Sequence, residues 1–292
     1  MTVGVIGLGL MGKPMVRSLI RGGFRVAVFN RSAPAMEELA GAGALPQGSP
    51  RAVAAASEVV ITMLPDGPDV AAVLRGPDGV FAAARAGLLE IDMSTIAPAL
   101  AVDLAGEARA QGMAFLDAPV SGGPEGAAAG TLSIMIGGDK ADADRADPVF
   151  RALGTTVTYC GPAGCGQIVK ACNQLVVALN IEAVAEALVL AGRAGVDPHT
   201  VVRVLQGGLA GSRVLELRGD AMADHDFAPR GRATAHKKDL GIILDLARRM
   251  NVALPATAVV DQLFTALIAS GRGGWDHTAL MAMVERLSGI GD

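Results

Sequence analysis

Short apolar runs of strand length recur through the first half of the chain: Val3 to Ile6, Arg25 to Phe29, Val59 to Leu64, Leu89 to Met93, Phe115 to Ala118 and Leu132 to Ile136. Between the early ones, apolar residues at helical spacing cover Met11 to Arg21, Met36 to Ala42 and Val70 to Leu74. Near-continuous apolar strands alternating with helices indicate a parallel sheet covered on both faces. After Gly161 the pattern is helical only, from about Gln167 to Gly192, then Pro198 to Leu205, Ser212 to Met222, Lys237 to Met250, Pro255 to Ser270 and Thr278 to Leu287. Glycines stop these helices at Gly195, Gly207-Gly208, Gly271 and Gly273-Gly274. The pattern predicts an α/β domain over residues 1–161 and an all-α domain over 162–292, led by a long interdomain helix.

The most apolar long stretch, Ile168 to Leu190, is interrupted by Lys170, Asn173, Gln174, Asn180, Glu182 and Glu186. Polar groups at that density are costly in lipid, so it reads as a helix buried in protein and no membrane partner is expected. The net charge of −4, with basic residues scattered, gives no footprint for nucleic acid. Cys160, Cys165 and Cys172 are an odd number with no ligand-like pairing to a histidine. The opening Met1 to Gly7 has no basic region or cleavage site. Both features fit a reduced, cytoplasmic protein that is not exported. His199, His225, His236 and His277 lack ligand spacing among themselves, so no metal site is predicted. With nine aromatic residues (seven Phe, one Trp, one Tyr) and 38 Gly, the core must be aliphatic and tightly packed.

Gly7-Leu8-Gly9-Leu10-Met11-Gly12 matches G-x-G-x-x-G. Alone that pattern is weak, but here it follows a strand, opens a helix and precedes a second strand, the context of a Rossmann dinucleotide site. Gly7 permits the tight turn, Gly9 lets a pyrophosphate approach the backbone, Gly12 allows close helix packing, and the helix N-terminus attracts negative charge. The second strand ends in Asn30-Arg31-Ser32, where an acidic residue would bind the ribose 2′-hydroxyl of NAD. With no carboxylate there and a guanidinium in reach, the expected cofactor is NADP(H), with NAD(H) as the weaker alternative; the other reading of Arg31 is a solvated surface residue. Leu64-Pro65 and Ser94-Thr95 end two further strands on the carboxyl edge, where Leu64, Pro65 and Thr95 are candidate cofactor-wall residues.

Asp117-Ala118-Pro119-Val120-Ser121-Gly122-Gly123-Pro124 ends another strand in a turn that leaves backbone N–H groups aimed outward, a receptor for a carboxylate. Gly161 to Gly166 leads into the long helix, on which Lys170, Asn173 and Gln174 share one face at i, i+3 and i+4. A lysine amid apolar neighbours needs a partner or a purpose. It is either structural, paired or reaching solvent, or a general acid whose pKa desolvation lowers, with Asn173 orienting it. His236-Lys237-Lys238-Asp239-Leu240 starts a later helix, and its charges read first as solvated.

Taken together and in this order, the segments GLGLMGKPM, DMST, DAPVSGG with GTLSIMIGG, GxxGxGxxxKxxN and KDL resemble the β-hydroxyacid dehydrogenase family, which includes 3-hydroxyisobutyrate dehydrogenase, tartronate semialdehyde reductase and glyoxylate or succinic semialdehyde reductases. The resemblance spans nearly the whole chain. It implies hydride transfer between NADP(H) and a small 3-hydroxy acid or semialdehyde carrying a carboxylate. It places the catalytic lysine at Lys170, the helper amide at Asn173, the carboxylate-binding turn at Ser121, Gly122 and Gly123, and Lys238 beside the cofactor. It also implies a homodimer or homotetramer. Imine reductases resemble the same fold and amino-terminal motif but usually have another residue at the lysine position. A cofactor-binding relative without catalysis is the third reading; Lys170 argues against both.

Overall fold

Val and Ile dominate the early strands because branched side chains pack well on a pleated surface. In the computed structural model, which describes residues 1–290, the first half contains β1 Thr2–Ile6, α1 Gly12–Arg21, β2 Arg25–Phe29, α2 Ala33–Ala40, β3 Leu45–Pro46, α3 Pro50–Ala55, β4 Val59–Thr62 and α4 Gly67–Arg75. It continues with β5 Leu89–Asp92, α5 Pro98–Ala110, β6 Ala114–Asp117, β7 Val120–Ser121, α6 Gly123–Ala129, β8 Leu132–Gly138, α7 Lys140–Leu153 and β9 Gly154–Gly161. The helices that follow are α8 Cys165–Arg193, α9 Pro198–Gln206, α10 Arg213–Ala223, α11 Ala233–Arg249, α12 Pro255–Leu267 and α13 Leu280–Leu287.

The sheet order is β3-β2-β1-β4-β5-β6-β8-β7, with β9 beside β8. Its first six strands are parallel, Val3 standing opposite Val26 on one side and Val59 on the other. That is the Rossmann order, with the strand sequence reversing between β1 and β4. The expected parallel sheet carries an antiparallel addition at one edge. β8 runs antiparallel to both β6 and β7, and β9 is parallel to β8. The chain reaches β8 through β7 and the seven-residue α6, turning back at the same edge, whereas a parallel neighbour requires a longer crossover.

Alternation along the strands divides the first core in two. Val3, Val5, Val26, Val28 and Ile61 pack with Met15, Leu19, Leu39 and Phe150 from α1, α2 and α7. Ile6, Ala27, Val60 and Phe115 pack on the opposite face with Val53, Val70, Leu74 and Leu104 from α3, α4 and α5. Each fully buried side chain of this size stabilises the fold by about 1.5–3 kcal/mol.

The chain forms two units, Met1–Lys170 and a second from Ala171 onward. The division falls inside α8, nine residues beyond the boundary expected at 161, because the first turns of this helix bond to the end of β6. In the second unit, Ile181, Leu240, Phe264, Leu267 and Leu280 form one cluster, and Val184, Leu188, Val202, Leu215 and Met222 another. The expectation that the long helix is buried also needs correction. Val176 is 56% and Leu190 73% exposed, since α8 is apolar on all sides while its neighbours within each unit cover only part of it. By length and composition α8 could cross a membrane, yet Lys170 and Gln174 are hydrogen-bonded within the protein. The helix carrying His236 begins at Ala233, a turn earlier than expected, with Ala233 buried and its N–H donated to Trp275 O.

Candidate active site

The glycine turn joins β1 to α1. Gly7 has φ +98°, and a side chain there would strike the Met63 carbonyl, while a Cβ on Gly12 would lie 1.9 Å from Gly7 O. Both positions therefore require glycine for α1 to start this close to β1. Over Gly9, by contrast, no atom lies within 4 Å of where a Cβ would stand. That open space above the first turn of α1 fits a pyrophosphate. Leu10 is exposed and Met11 half-buried at the same turn.

The ends of the neighbouring strands converge on this turn. Asn30, following β2, accepts from Leu8 N at 3.1 Å and donates to Ser32 Oγ at 2.8 Å, tying two expected cofactor segments together. Arg31 between them is exposed. Leu64 packs on Gly7 and donates its N–H to Ser94 Oγ at 2.9 Å. Pro65 is exposed and Thr95 half-buried.

Behind this edge lies a buried acidic chain. Thr62 Oγ1 is 2.9 Å from Glu90 Oε1 and 2.9 Å from Asp92 Oδ1, and Asp92 Oδ1 also accepts from Ser94 N. One hydroxyl has one proton, so it donates to one carboxyl only while accepting from the other, which must then be protonated. Burial pushes Glu90 well above the usual carboxylate range. Burial likewise raises Asp92 to about 6, against the pull of the Ser94 and Thr62 bonds.

Ser121 lies in β7 opposite Ser133, and α6 begins at Gly123 with Gly122 at φ +130°. The turn expected after β6 is therefore a strand-to-helix junction. One residue before Ser121, the Val120 carbonyl accepts a 2.7 Å hydrogen bond from Lys170 Nζ. Lys170 is buried, with 6% of its surface exposed. Asp117, at the end of β6, accepts from Gly164 N at 2.7 Å and Gln167 N at 2.9 Å, so its carboxylate caps the start of α8. Burial raises the Asp117 pKa, and these backbone donors partly oppose the rise.

The second unit makes its own polar chain. Asn173 Nδ2 donates to Gln174 Oε1 at 2.9 Å, Gln174 Nε2 donates to Asp239 Oδ2 at 2.6 Å, and Lys238 pairs with Asp239 Oδ1 at 3.1 Å. His236 stacks on Phe264 and lies 2.9 Å from His277, a packing role. Among the described residues no group of three or more His, Cys, Asp or Glu could hold a metal. A cavity of about 760 Å³ beside Leu88, Ala114 and Tyr159 includes none of the expected site residues. The sequence reading passed over Gln167 and the caps made by Asp117. The available signal for Gln167 was its place three residues before Lys170, on the same helix face.

The fold and the glycine turn define a Rossmann-type oxidoreductase with an NAD(P)-binding unit. The family pattern described as "NAD binding domain of 6-phosphogluconate dehydrogenase" matches residues 2–161, and that described as "NAD-binding of NADP-dependent 3-hydroxyisobutyrate dehydrogenase" matches residues 164–284. The 2-hydroxy-3-oxopropionate reductase of Escherichia coli is 42% identical over 99% of this chain and 98% of its own. The crystal structure of 3-hydroxyisobutyrate dehydrogenase from Salmonella typhimurium is 31% identical, covers 97% of this chain and 99% of its own, and superposes with a TM-score of 0.90. The chain belongs to the β-hydroxyacid dehydrogenase family. An imine reductase from Myxococcus stipitatus, 19% identical over 97% of this chain and 100% of its own at a TM-score of 0.66, shares the fold alone. The dehydrogenase reading therefore fits better than imine reduction.

Proposed function

We propose that the chain is an NADP(H)-dependent semialdehyde reductase or 3-hydroxyacid dehydrogenase in which Lys170 is the general acid and base. The observation that carries this reading is the buried Lys170 side chain, its Nζ anchored on Val120 O beside the Ser121 junction. The bound cofactor supplies the hydride. The substrate carboxylate is held by Ser121, Gly122 and Gly123, where the first N–H groups of α6 lack partners within the helix. A protonated lysine carries three N–H donors on Nζ. Nζ donates to the substrate carbonyl oxygen as negative charge develops there and gives it a proton; in the oxidative direction the neutral amine takes a proton from the hydroxyl. Asn173, one turn further along α8, is the helper amide, and Lys238 is assigned to the cofactor by the family resemblance.

The preference for NADP(H) over NAD(H) is supported by Asn30-Arg31-Ser32 at the end of β2, which offers a guanidinium and no carboxylate. Gly7, Leu8, Gly9, Leu10, Met11 and Gly12 cradle the pyrophosphate, with Leu64, Pro65 and Thr95 as the wall. The exposed apolar residues of α8 support a homodimer or homotetramer, which light scattering of the purified protein checks. A panel of short semialdehydes, led by 2-hydroxy-3-oxopropionate and methylmalonate semialdehyde and assayed with NADPH and NADH, tests the assignment. Turnover with carboxylate-bearing aldehydes and not with their uncharged counterparts supports it; equal turnover of both refutes the role of the Ser121 junction.

A further inference from the structure

We infer that Gln167 is a positioning residue that locks the cofactor wall to the helix bearing Lys170. Its side chain, 1% exposed, has both ends engaged in the loop after β5. Nε2 donates to Ser94 O at 2.8 Å, and Oε1 accepts from Ile96 N at 3.1 Å. Its backbone N–H donates to Asp117 Oδ2. Ser94 in turn accepts from Leu64 N through its hydroxyl. One side chain thus gathers the segments of Leu64 and of Ser94 to Ile96 onto α8, one turn before Lys170 Nζ meets Val120 O.

The two ends of an amide are not interchangeable. The loop presents one carbonyl and one N–H, so the partner must donate at one atom and accept at the other. Glutamine does this without charge. An ionised glutamate in its place would set an anionic oxygen against Ser94 O, whereas a protonated one reproduces both bonds, its O–H donating to Ser94 O. The loop and the helix are therefore held in register by a group whose replacement can be switched by pH.

The inference on catalysis rests on the assignment of Lys170; the inference on cofactor binding does not. A misplacement of about 1 Å near reacting groups costs on the order of 10²-fold in rate. The test uses the full-length protein with 2-hydroxy-3-oxopropionate and NADPH, comparing wild type, Gln167→Glu, Gln167→Met and Lys170→Ala between pH 5.5 and 8.5. The NADPH dissociation constant is read by fluorescence titration in parallel. Gln167→Glu is expected to lose about 10- to 100-fold in kcat and to bind NADPH about 10-fold more weakly at pH 8.5, both losses shrinking relative to wild type as the pH falls. Gln167→Met is expected to show both losses at every pH. A merely structural residue would lower the melting temperature without that acid rescue. A Gln167→Glu variant whose kcat and NADPH affinity keep a constant ratio to wild type across the range overturns the inference. Wild-type turnover in Lys170→Ala refutes the general-acid assignment instead, leaving the NADPH titrations to decide Gln167.

Discussion

Replacing Asp92 with Asn should change how the stability of this protein depends on pH. Asp92 is fully buried, and its pKa of about 6 stands against an ordinary 3.8. An acid whose pKa is raised by folding binds its proton more tightly in the native state. Its effect on stability is then absent below about 3.8, grows as the pH rises through that window, and is complete above about 6. The interval corresponds to a destabilisation of about 3 kcal/mol at neutral pH, at about 1.4 kcal/mol per pH unit. Of this, about 2 kcal/mol lies between pH 4 and 7.5. The amide in Asp92→Asn has its own pH-independent cost, because it sets an N–H donor where Asp92 Oδ2 has no partner. That cost cancels when the wild-type and variant difference is followed across pH. Relative to wild type, the variant should gain about 2 kcal/mol between pH 4 and 7.5, or about 4–8 °C in Tm for a unit of this size. Urea or thermal unfolding at four pH values measures the difference directly. Parallel wild-type and variant profiles would refute the account of Asp92 as a carboxylate pushed up by burial.

Lys170→Ala should lower kcat by about 10²- to 10⁴-fold while NADPH affinity, read by fluorescence titration, stays within a few-fold. Arg31→Asp should weaken NADPH by about 10- to 100-fold and spare NADH, the loss of a charge-assisted bond to the 2′-phosphate; equal loss of both cofactors in steady-state assays contradicts the pocket reading. Gly12→Ala should abolish nucleotide binding and lower Tm, since its methyl group would stand against Gly7 O; an unchanged calorimetric titration with NADPH would show that the turn can yield.

The glycine turn and the strands feeding it were legible because their information is local: Val3 to Ile6, then Gly7, Gly9 and Gly12, then Arg25 to Phe29. Helices α5 and α7 were not read. The first has apolar residues spread around its circumference, and the second is rich in Asp and Arg and has Pro148 inside it, a residue that usually ends a helix. β9, with Thr at three positions, carries no apolar run. Lys170 stood out as a cation amid the apolar neighbours of a long helix. The partners that explain its placement did not, because Asp117 lies 47 and 50 residues from the N–H groups it caps, and Gln167 meets Ser94 and Ile96 across 73 and 71 residues. Glu90 and Asp92 were absorbed into a strand whose apolar neighbours concealed two carboxyls facing one hydroxyl.

The division of the chain within α8 bears on how such a protein can be recombined. A splice at Gly161, the seam visible in the sequence, hands Gly164, Gln167 and Lys170 to the other parent, so that the N–H groups that meet the buried Asp117 carboxylate come from a segment not matched to its sheet. A splice after Lys170, in the middle of a continuous helix, keeps the caps, the loop clamp and the lysine with the sheet that positions them. Chimeras that exchange helical domains among relatives should be joined there, so that the helix start and the lysine it carries stay with the sheet they are bonded to, while Asn173 and Lys238 are traded with the second unit.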